Sequence, residues 1–372
     1  MQVIEVTTAE DKRAFLDLVN NIYRNIPAFI RPLDKDIEGT FDPAVNKAFR
    51  HGKAIRWIQK NEAGKVIGRV AAFVNDKYTS QFPGVGGMGF FECINDKNAA
   101  FLLFDTAKQW LQEQGMESMD GPINFGERDK FWGMTIENFN QAPYYGQSYT
   151  PQYYTNFFNE YGFKEYYQQF IYHRRVDDPL QEKFEERALR LAKDPDYTVR
   201  TIDKKNLPLL AKNFREVYNR AWGKREGDKF VGMSEAQAKG ITKALQPILD
   251  DKLGYFAYYK DEAIGFYISI PELNGVFKNF NGKFGLWQKL QVLWYLKMKK
   301  RKTAVGIVFG VDPAHQGKGV EGLIFKHHAI VVQGRNLYED VLITWLGDFN
   351  VKMINIIESL GGKLVQKMAT MR

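Results

Sequence analysis

The residues best suited to chemistry lie in Ile307–Leu323, IVFGVDPAHQGKGVEGL. An apolar, β-rich run ends at Val311, Asp312-Pro313 breaks it, and Gln316-Gly317-Lys318-Gly319 leads into an apolar helical stretch. Glycines at 317 and 319 remove Cβ atoms where a ligand would meet main chain. Successive backbone N–H groups at a helix N-terminus form an anion site, and Lys318 adds positive charge. The ligand part that fits is a phosphate or pyrophosphate, held by Gln316, Gly317, Lys318, Gly319 and Val320. A glycine-rich turn between strand and helix is also a common structural device. The segment is not a P-loop, since no G-x-x-x-x-G-K-[ST] occurs, and the spacing after Gly319 fails the dinucleotide fingerprint.

Other groups carry weaker signals. Tyr144, Tyr145, Tyr149, Tyr153 and Tyr154 form a cluster, and Tyr153 is a candidate to position an amine or donate a proton. An aromatic core with wet hydroxyls would be written the same way. Gly121–Asn124, followed by Glu127, Arg128 and Asp129, reads as a loop able to line a pocket. Histidine occurs only at 51, 173, 315, 327 and 328, and the one cysteine is Cys93. With no His-x-His or Cys-x-x-Cys, no metal site is expected. Cys93 lies in an apolar run and reads as a buried, inert thiol. No nucleophile elbow is present.

Two runs of elements must position these groups. In the first half, strands are expected at Val3–Val6, Ala54–Lys60, Lys65–Asn75 and Gly86–Ile94, and helices at Asp11–Asn25, Asn98–Gln114 and Tyr153–Tyr161. Glu165–His173 is expected to close that sheet. The second half repeats the order: strand Tyr197–Ile202, helices Leu207–Trp222 and Ser234–Leu249, strands Gly254–Lys260, Ala263–Pro271 and Ala304–Val311. Helix Gly317–Gln333, strand Val341–Leu346, helix Asn350–Leu360 and strand Lys363–Met371 follow. The shared order points to duplication of one α/β unit. The expected division is 1–178, a helical linker at 179–196, and 197–372 with an insertion at 273–302.

The segment Val311, Pro313, Gln316, Gly319 resembles the acyl-coenzyme A motif of the GNAT (Gcn5-related) N-acyltransferase superfamily; Glu321 stands where that motif ends in a small residue. Asp348-Phe349-Asn350, opening a helix, resembles the second motif of the same superfamily. Gly89–Glu92, Gly121–Asn124, Tyr149–Tyr154 and Trp345–Asn350 resemble a narrower set, the tandem-domain bacterial ceramide synthase-like group. The resemblance implies a fold of two tandem GNAT-like domains with mixed, mainly antiparallel sheets, and acyl-coenzyme A as co-substrate. It places the pantetheine arm on Val311, the pyrophosphate on Gln316–Val320 and a cofactor contact on Asn350. A splayed strand around Phe309–Val311 would offer N–H groups to the oxyanion. The candidate proton acceptors are Asp348 and Glu92. Family members often carry a tyrosine as general acid where Ile357 and Glu358 stand, so that acid is absent here. The first half, without a phosphate turn, is expected to shape the acceptor side. Long-chain acyl transfer to an amino lipid is the activity implied.

At 372 residues and 43.1 kDa, with 44% hydrophobic, 26% charged and 15% aromatic residues, the chain has ample material for two cores and is neither disordered nor disulfide-stapled. No stretch of 18 apolar residues occurs. The start shows no leader pattern, and the expected compartment is the cytoplasm. Net charge is +8 with a pI of about 9.1, which favours polyanions. From Leu273 to Val311 there is no acidic residue but eight basic ones, with Leu286, Trp287, Leu290, Leu293, Trp294 and Met298 at helical spacing. Such a helix suits an anionic membrane interface or an acyl-chain entrance. A helix packed on its own domain fits the pattern equally well. No RNA motif is seen and no nucleic-acid partner is expected. Two other readings stay open: an aminoacyl-tRNA-dependent peptidyl transferase of tandem GNAT type, and a non-catalytic acyl-coenzyme A-binding or membrane-peripheral protein.

Overall fold

The computed structural model describes residues 1–372 except 127, 129, 227, 228 and 334–336, and the backbone alone at 224–226, 229 and 230. After β1 (Gln2–Glu5), Thr8 accepts from the Asp11 N–H while the Asp11 carboxylate accepts from the Thr8 N–H. This reciprocal cap starts α1 (Ala9–Ile22). Then follow α2 (Asp34–Thr40), β2 (Gly52–Lys60), β3 (Val66–Asn75), α3 (Asp76–Gln81), β4 (Val85–Cys93), α4 (Lys97–Glu113) and β5 (Ser118–Asp120). The five strands form one sheet in chain order, antiparallel except for the parallel pair β4/β5. β4 is buried on both faces, which is why its sequence is apolar without alternation. Asp96 caps α4, whose Leu103, Phe104, Ala107 and Leu111 are buried.

The chain continues through β6 (Met134–Glu137), α5 (Gln152–Tyr161), β7 (Glu165–Arg175), α6 (Glu182–Leu191), β8 (Tyr197–Thr201) and α7 (Leu207–Trp222). A two-stranded ribbon, β9 (Lys224–Glu226) and β10 (Lys229–Val231), precedes α8 (Glu235–Leu245). Next come β11 (Gly254–Tyr259), β12 (Glu262–Pro271), α9 (Asn274–Phe277), α10 (Leu286–Met298), β13 (Lys302–Val311), α11 (Val320–Gln333), β14 (Tyr338–Gly347), α12 (Val351–Ser359) and β15 (Lys363–Met371). The second sheet has eight strands in the order β6-β15-β7-β14-β13-β12-β11-β8, with β13/β14 as its parallel pair. Each half thus carries the same strand–helix order and one parallel pair, as the duplication requires.

One expectation is corrected. Strand Glu165–His173 does not close the first sheet. It is β7, antiparallel to both β14 and β15 in the second. The cause is burial on both faces by residues of the second half. Phe170 and Tyr172 pack with Leu346 and Ile357, and Ile171 packs with Val305 and Met368. The C-terminal strand reaches the other way. Gly121 and Met371 exchange backbone hydrogen bonds of 2.9 and 2.8 Å, and Arg372 forks onto the fully buried Asp120 at 2.6 and 2.8 Å. The first half thus gives β6 and β7 to the second sheet, while the end of β15 and Arg372 tie back to Gly121 and Asp120 of the first half.

Candidate active site

The parallel pairing of β13 and β14 runs from Lys302/Tyr338 to Gly306/Ile343 and stops there. Beyond it β13 pairs only with β12. The Asp312 N–H bonds the Ile264 carbonyl at 2.8 Å. Strand alternation then turns the backbone groups of Phe309 and Val311 away from β12, into the gap between β13 and β14. The expected splay is present. Gln316 Nε2 donates to the Val311 carbonyl at 2.9 Å, filling that acceptor and folding the turn against the strand end. Asp312 is held by Arg220 Nε at 2.7 Å and caps the short helical turn Pro313–His315 through Ala314 N–H at 2.9 Å. The Phe309 ring packs on Phe325 of α11.

The turn after Gln316 is glycine-dependent in two different ways. Gly317 has φ +75° and open space around it. Gly319 has φ +105°, and a Cβ there would lie 2.9 Å from the Arg187 carbonyl oxygen of α6. Its glycine is thus demanded by the linker helix as well as by any ligand. The helix begins at Val320, not at Gly317, so 317–319 are turn residues. Among the described residues the N–H groups of Gly317, Lys318 and Gly319 have no acceptor. Lys318 is exposed. A second cation, Lys352 near the start of α12, donates to Gln316 Oε1. Sequence reading missed it, because nothing local to Lys352 marks it. Its position follows from Asn350, whose side chain accepts from the Met353 N–H at 3.3 Å and so caps α12. Two lysines and three backbone N–H groups without an acceptor thus meet at one turn, partly exposed at Gly317 and Lys318, with the chemistry an anion site needs.

Where the resemblance leaves the general acid absent, Ile357 is fully buried, and Glu358 accepts from the Tyr172 hydroxyl of β7 at 3.0 Å. Burial first, then Glu358, pushes the Tyr172 pKa up to about 12. Asp348 follows β14, and its Oδ2 accepts from the Gln168 N–H at 3.0 Å. It ties the end of β14 to β7. His315 Nδ1 lies 3.0 Å from the Tyr197 hydroxyl.

Glu92 and Tyr153 come together in the first half, apart from Asp348. Glu92 sits at the end of β4 with its Oε2 accepting from the Tyr23 hydroxyl and from the Tyr154 hydroxyl, the latter at 2.9 Å. Its Oε1 meets Arg69 at 3.4 Å. Burial pushes the Glu92 carboxyl above its usual range, although Arg69 and the two hydroxyls pull it down. Tyr153 donates to the Cys93 carbonyl at 2.8 Å, and burial raises its pKa. Cys93 is buried, as expected, with burial pushing its thiol up to about 12. Glu92 and Arg69 line a cavity walled by Phe29, Ile30, Pro32 and Tyr149. Arg69 and Tyr23 carried no recognisable sequence signal, since their partners lie far away in the chain. Pro122 of the Gly121–Asn124 loop lines the same cavity. Glu127 and Asp129 lie outside the described residues, and Arg128 stacks over Trp132. Among the described residues no group of three or more His, Cys, Asp or Glu side chains could hold a metal ion.

No family model matches the chain. Over 375 residues it is 26% identical to "Bacterial ceramide synthase" of Caulobacter vibrioides (strain NA1000 / CB15N), covering 97% of this chain and 94% of that one. It is 23% identical to protein YghO of Escherichia coli K12, covering 95% and 90%. Among solved structures it is similar to a tandem GNAT protein from the clavulanic acid biosynthesis pathway, at a TM-score of 0.55 and 10% identity over 100% of this chain and 97% of that one. A GCN5-related glucosamine N-acetyltransferase region of a fungal multi-domain β-N-acetylglucosaminidase gives 0.57 at 12% identity, over 100% and 38%. The strand order, the splay in the second half and the likeness to these solved structures agree on the fold: two units of GNAT-like fold in tandem.

Proposed function

From a tandem GNAT fold with a bacterial ceramide synthase as a relative along nearly its whole length, we propose that this protein transfers an acyl group from acyl-coenzyme A to an amine, with a long-chain amino lipid as acceptor. The observation that carries the reading is the parting of β13 from β14 directly upstream of a turn with free N–H groups and two lysines. The pyrophosphate lies on Gln316–Val320 with Lys318 and Lys352. The pantetheine arm runs along Val311 and past Asn350 into the splay. There the Phe309 N–H faces the thioester carbonyl and stabilises its oxygen as negative charge develops. The amine attacks in its neutral form: the C–N bond forms, the C–S bond breaks, and the thiolate takes up a proton. The nitrogen's proton passes to a carboxylate, directly or through water. We assign that role to Glu92 rather than to Asp348, because Glu92 lines a cavity able to take the amine, and burial pushes its carboxyl above the usual range. An amino lipid as substrate goes with peripheral contact at an anionic membrane face through 273–302.

The test is turnover. Purified protein is incubated with acyl-coenzyme A donors of several chain lengths and with short and long-chain amines, after ribonuclease treatment. Amide product with matching thiol release is expected. Activity that disappears with ribonuclease supports the tRNA-dependent alternative. Binding of acyl-coenzyme A without any product supports the non-catalytic one.

A further inference from the structure

Helix α10 is apolar on two opposite sides. Val292 and Tyr295 are buried, packed with Leu33, Leu273, Val276, Phe277 and Phe280. The other side stands in water: Leu286, Trp287, Leu290, Leu293, Trp294 and Met298 are 48–76% exposed. At about 100° per residue these six fall within an arc of about 140°, centred away from Val292 and Tyr295. A continuous face with two exposed tryptophans is an interaction surface, not the scatter of single apolar residues normal on a monomer. Lys297 falls within this arc near its C-terminal end, and Lys278, Lys283, Lys289, Lys299 and Lys300 lie elsewhere on the segment; all six are exposed, and among the described residues none of them is in an ion pair. No acidic side chain occurs from 273 to 311 to oppose them.

The mount of this helix is also the wall of the Glu92 cavity. Within residues 29–37, Phe29, Ile30, Pro32 and Ile37 line the cavity. Alternating with them, Leu33 is buried in the cluster under α10. The Asp34 N–H bonds the Gly282 carbonyl at 2.8 Å, and Lys35 Nζ sits 3.7 Å over the Phe284 ring.

We propose that α10 lies in the plane of an anionic membrane, with its Trp287/Trp294 face in the headgroup–acyl boundary and its lysines on the lipid phosphates. Docked in this way, it sets the Glu92 cavity against the bilayer, so that a lipid reaches it without crossing water. A bilayer fits better than a second copy of this chain. A two-fold interface built on this face would bring six unpaired lysines towards six others, whereas an anionic surface neutralises them. The delivery of a lipid to the cavity rests on the acyl-transfer reading; the docking does not.

The experiment uses the full chain with vesicles of phosphatidylcholine, with and without phosphatidylglycerol. Wild type cosediments with the anionic vesicles, with a blue shift of tryptophan fluorescence. Salt weakens the binding without abolishing it, because buried apolar surface is not screened. Trp287→Ala/Trp294→Ala partitions at least tenfold more weakly while keeping its melting temperature, since both rings are in water in the folded protein. It keeps its affinity for coenzyme A and its turnover of a short soluble amine, and loses at least tenfold on a vesicle-embedded amino lipid. Failure of wild type to bind anionic vesicles, or equal binding by the double variant, overturns the docking. A concentration-dependent dimer abolished by the double variant, without vesicle binding, shows that the face takes a second copy instead and also overturns it. If wild type binds vesicles but neither binds coenzyme A nor forms product, the acyl-transfer reading fails while the docking stands.

Discussion

Lys318 stands in the turn itself and Lys352 reaches it from α12, and this makes the anion site testable without touching its glycines. Replacing Gly319 would push a Cβ against the Arg187 carbonyl and confuse a ligand effect with a packing one. Lys318→Glu and Lys352→Glu should each lower coenzyme A affinity at least tenfold, about 1.4 kcal/mol, with the melting temperature unchanged. Calorimetric titration decides this, and unchanged affinity in both variants removes the turn from the site. Glu92→Gln is expected to cut kcat about 100-fold or more and to remove the acid limb of the pH–rate profile. That limb should lie above the ordinary carboxylate range, because burial raises the Glu92 pKa. Asp348→Asn should lower stability and leave the profile in place. His328 gives a pH effect on folding. It is buried between Tyr255 and Tyr267, and burial, then Arg174, pushes its pKa down to about 3 from 6.5. The unfolded chain therefore holds more protons between those values, and stability must fall as pH drops through that window. His328→Phe should flatten the decline of the urea midpoint between about pH 6.5 and 5, and an unaltered slope would assign the decline to other groups. At this scale the Gln316–Val320 turn was legible because its residues are contiguous. Lys352, Arg69, Tyr23 and Tyr172 were not, because each acquires its partner only through folding.

Helices and strands were largely legible, since period and caps are local: Thr8, Ser234 and Gly162 mark ends that the structure keeps. The linker helix was expected only as a bridge, yet α6 lies on the N-terminal turn of α11. A Cβ at Gly322 would meet the Phe184 carbonyl and the Ala188 Cβ, each at 3.0 Å. Gly322→Val should therefore destabilise by roughly 1–3 kcal/mol, the usual range for overpacking. It should also weaken coenzyme A binding through displacement of the turn. Denaturant melts and the same titration check the two effects, and a stability equal to wild type means that α6 yields there. For α10 the sequence left two readings because both sides of the helix are apolar. Its period could not say which side packs, and only the position of Val292 and Tyr295 against Leu33 puts the tryptophans outside.

At the level of the whole molecule, the duplication was legible from element order, but the partner of β7 was not. A strand with the contiguous apolar run Phe170-Ile171-Tyr172 fits either sheet, and what selects the second is the pairing of β7 with β14 and β15, more than 160 residues away in the chain. Residues 1–178 and 179–372, produced separately, should therefore each lack a native neighbour. We expect both fragments to give poorly dispersed amide spectra, and the mixture to recover native dispersion and any acyl transfer. Removal of 363–372 alone should unfold more than its own sheet, because Asp120 is left buried without Arg372. A truncated chain that melts like wild type would show that the Asp120–Arg372 tie is ornamental to stability.

The place of β7 between β14 and β15 also imposes a schedule on synthesis. β7 leaves the ribosome about 190 residues before β15, a wait of roughly 10–40 s at ordinary elongation rates. During that wait, an edge rich in Phe170, Ile171 and Tyr172 has neither of its final neighbours. A nascent chain of this protein should thus be a chaperone client until its last ten residues emerge, and codon changes that slow translation after residue 175 should lower soluble yield while leaving the purified protein unaltered.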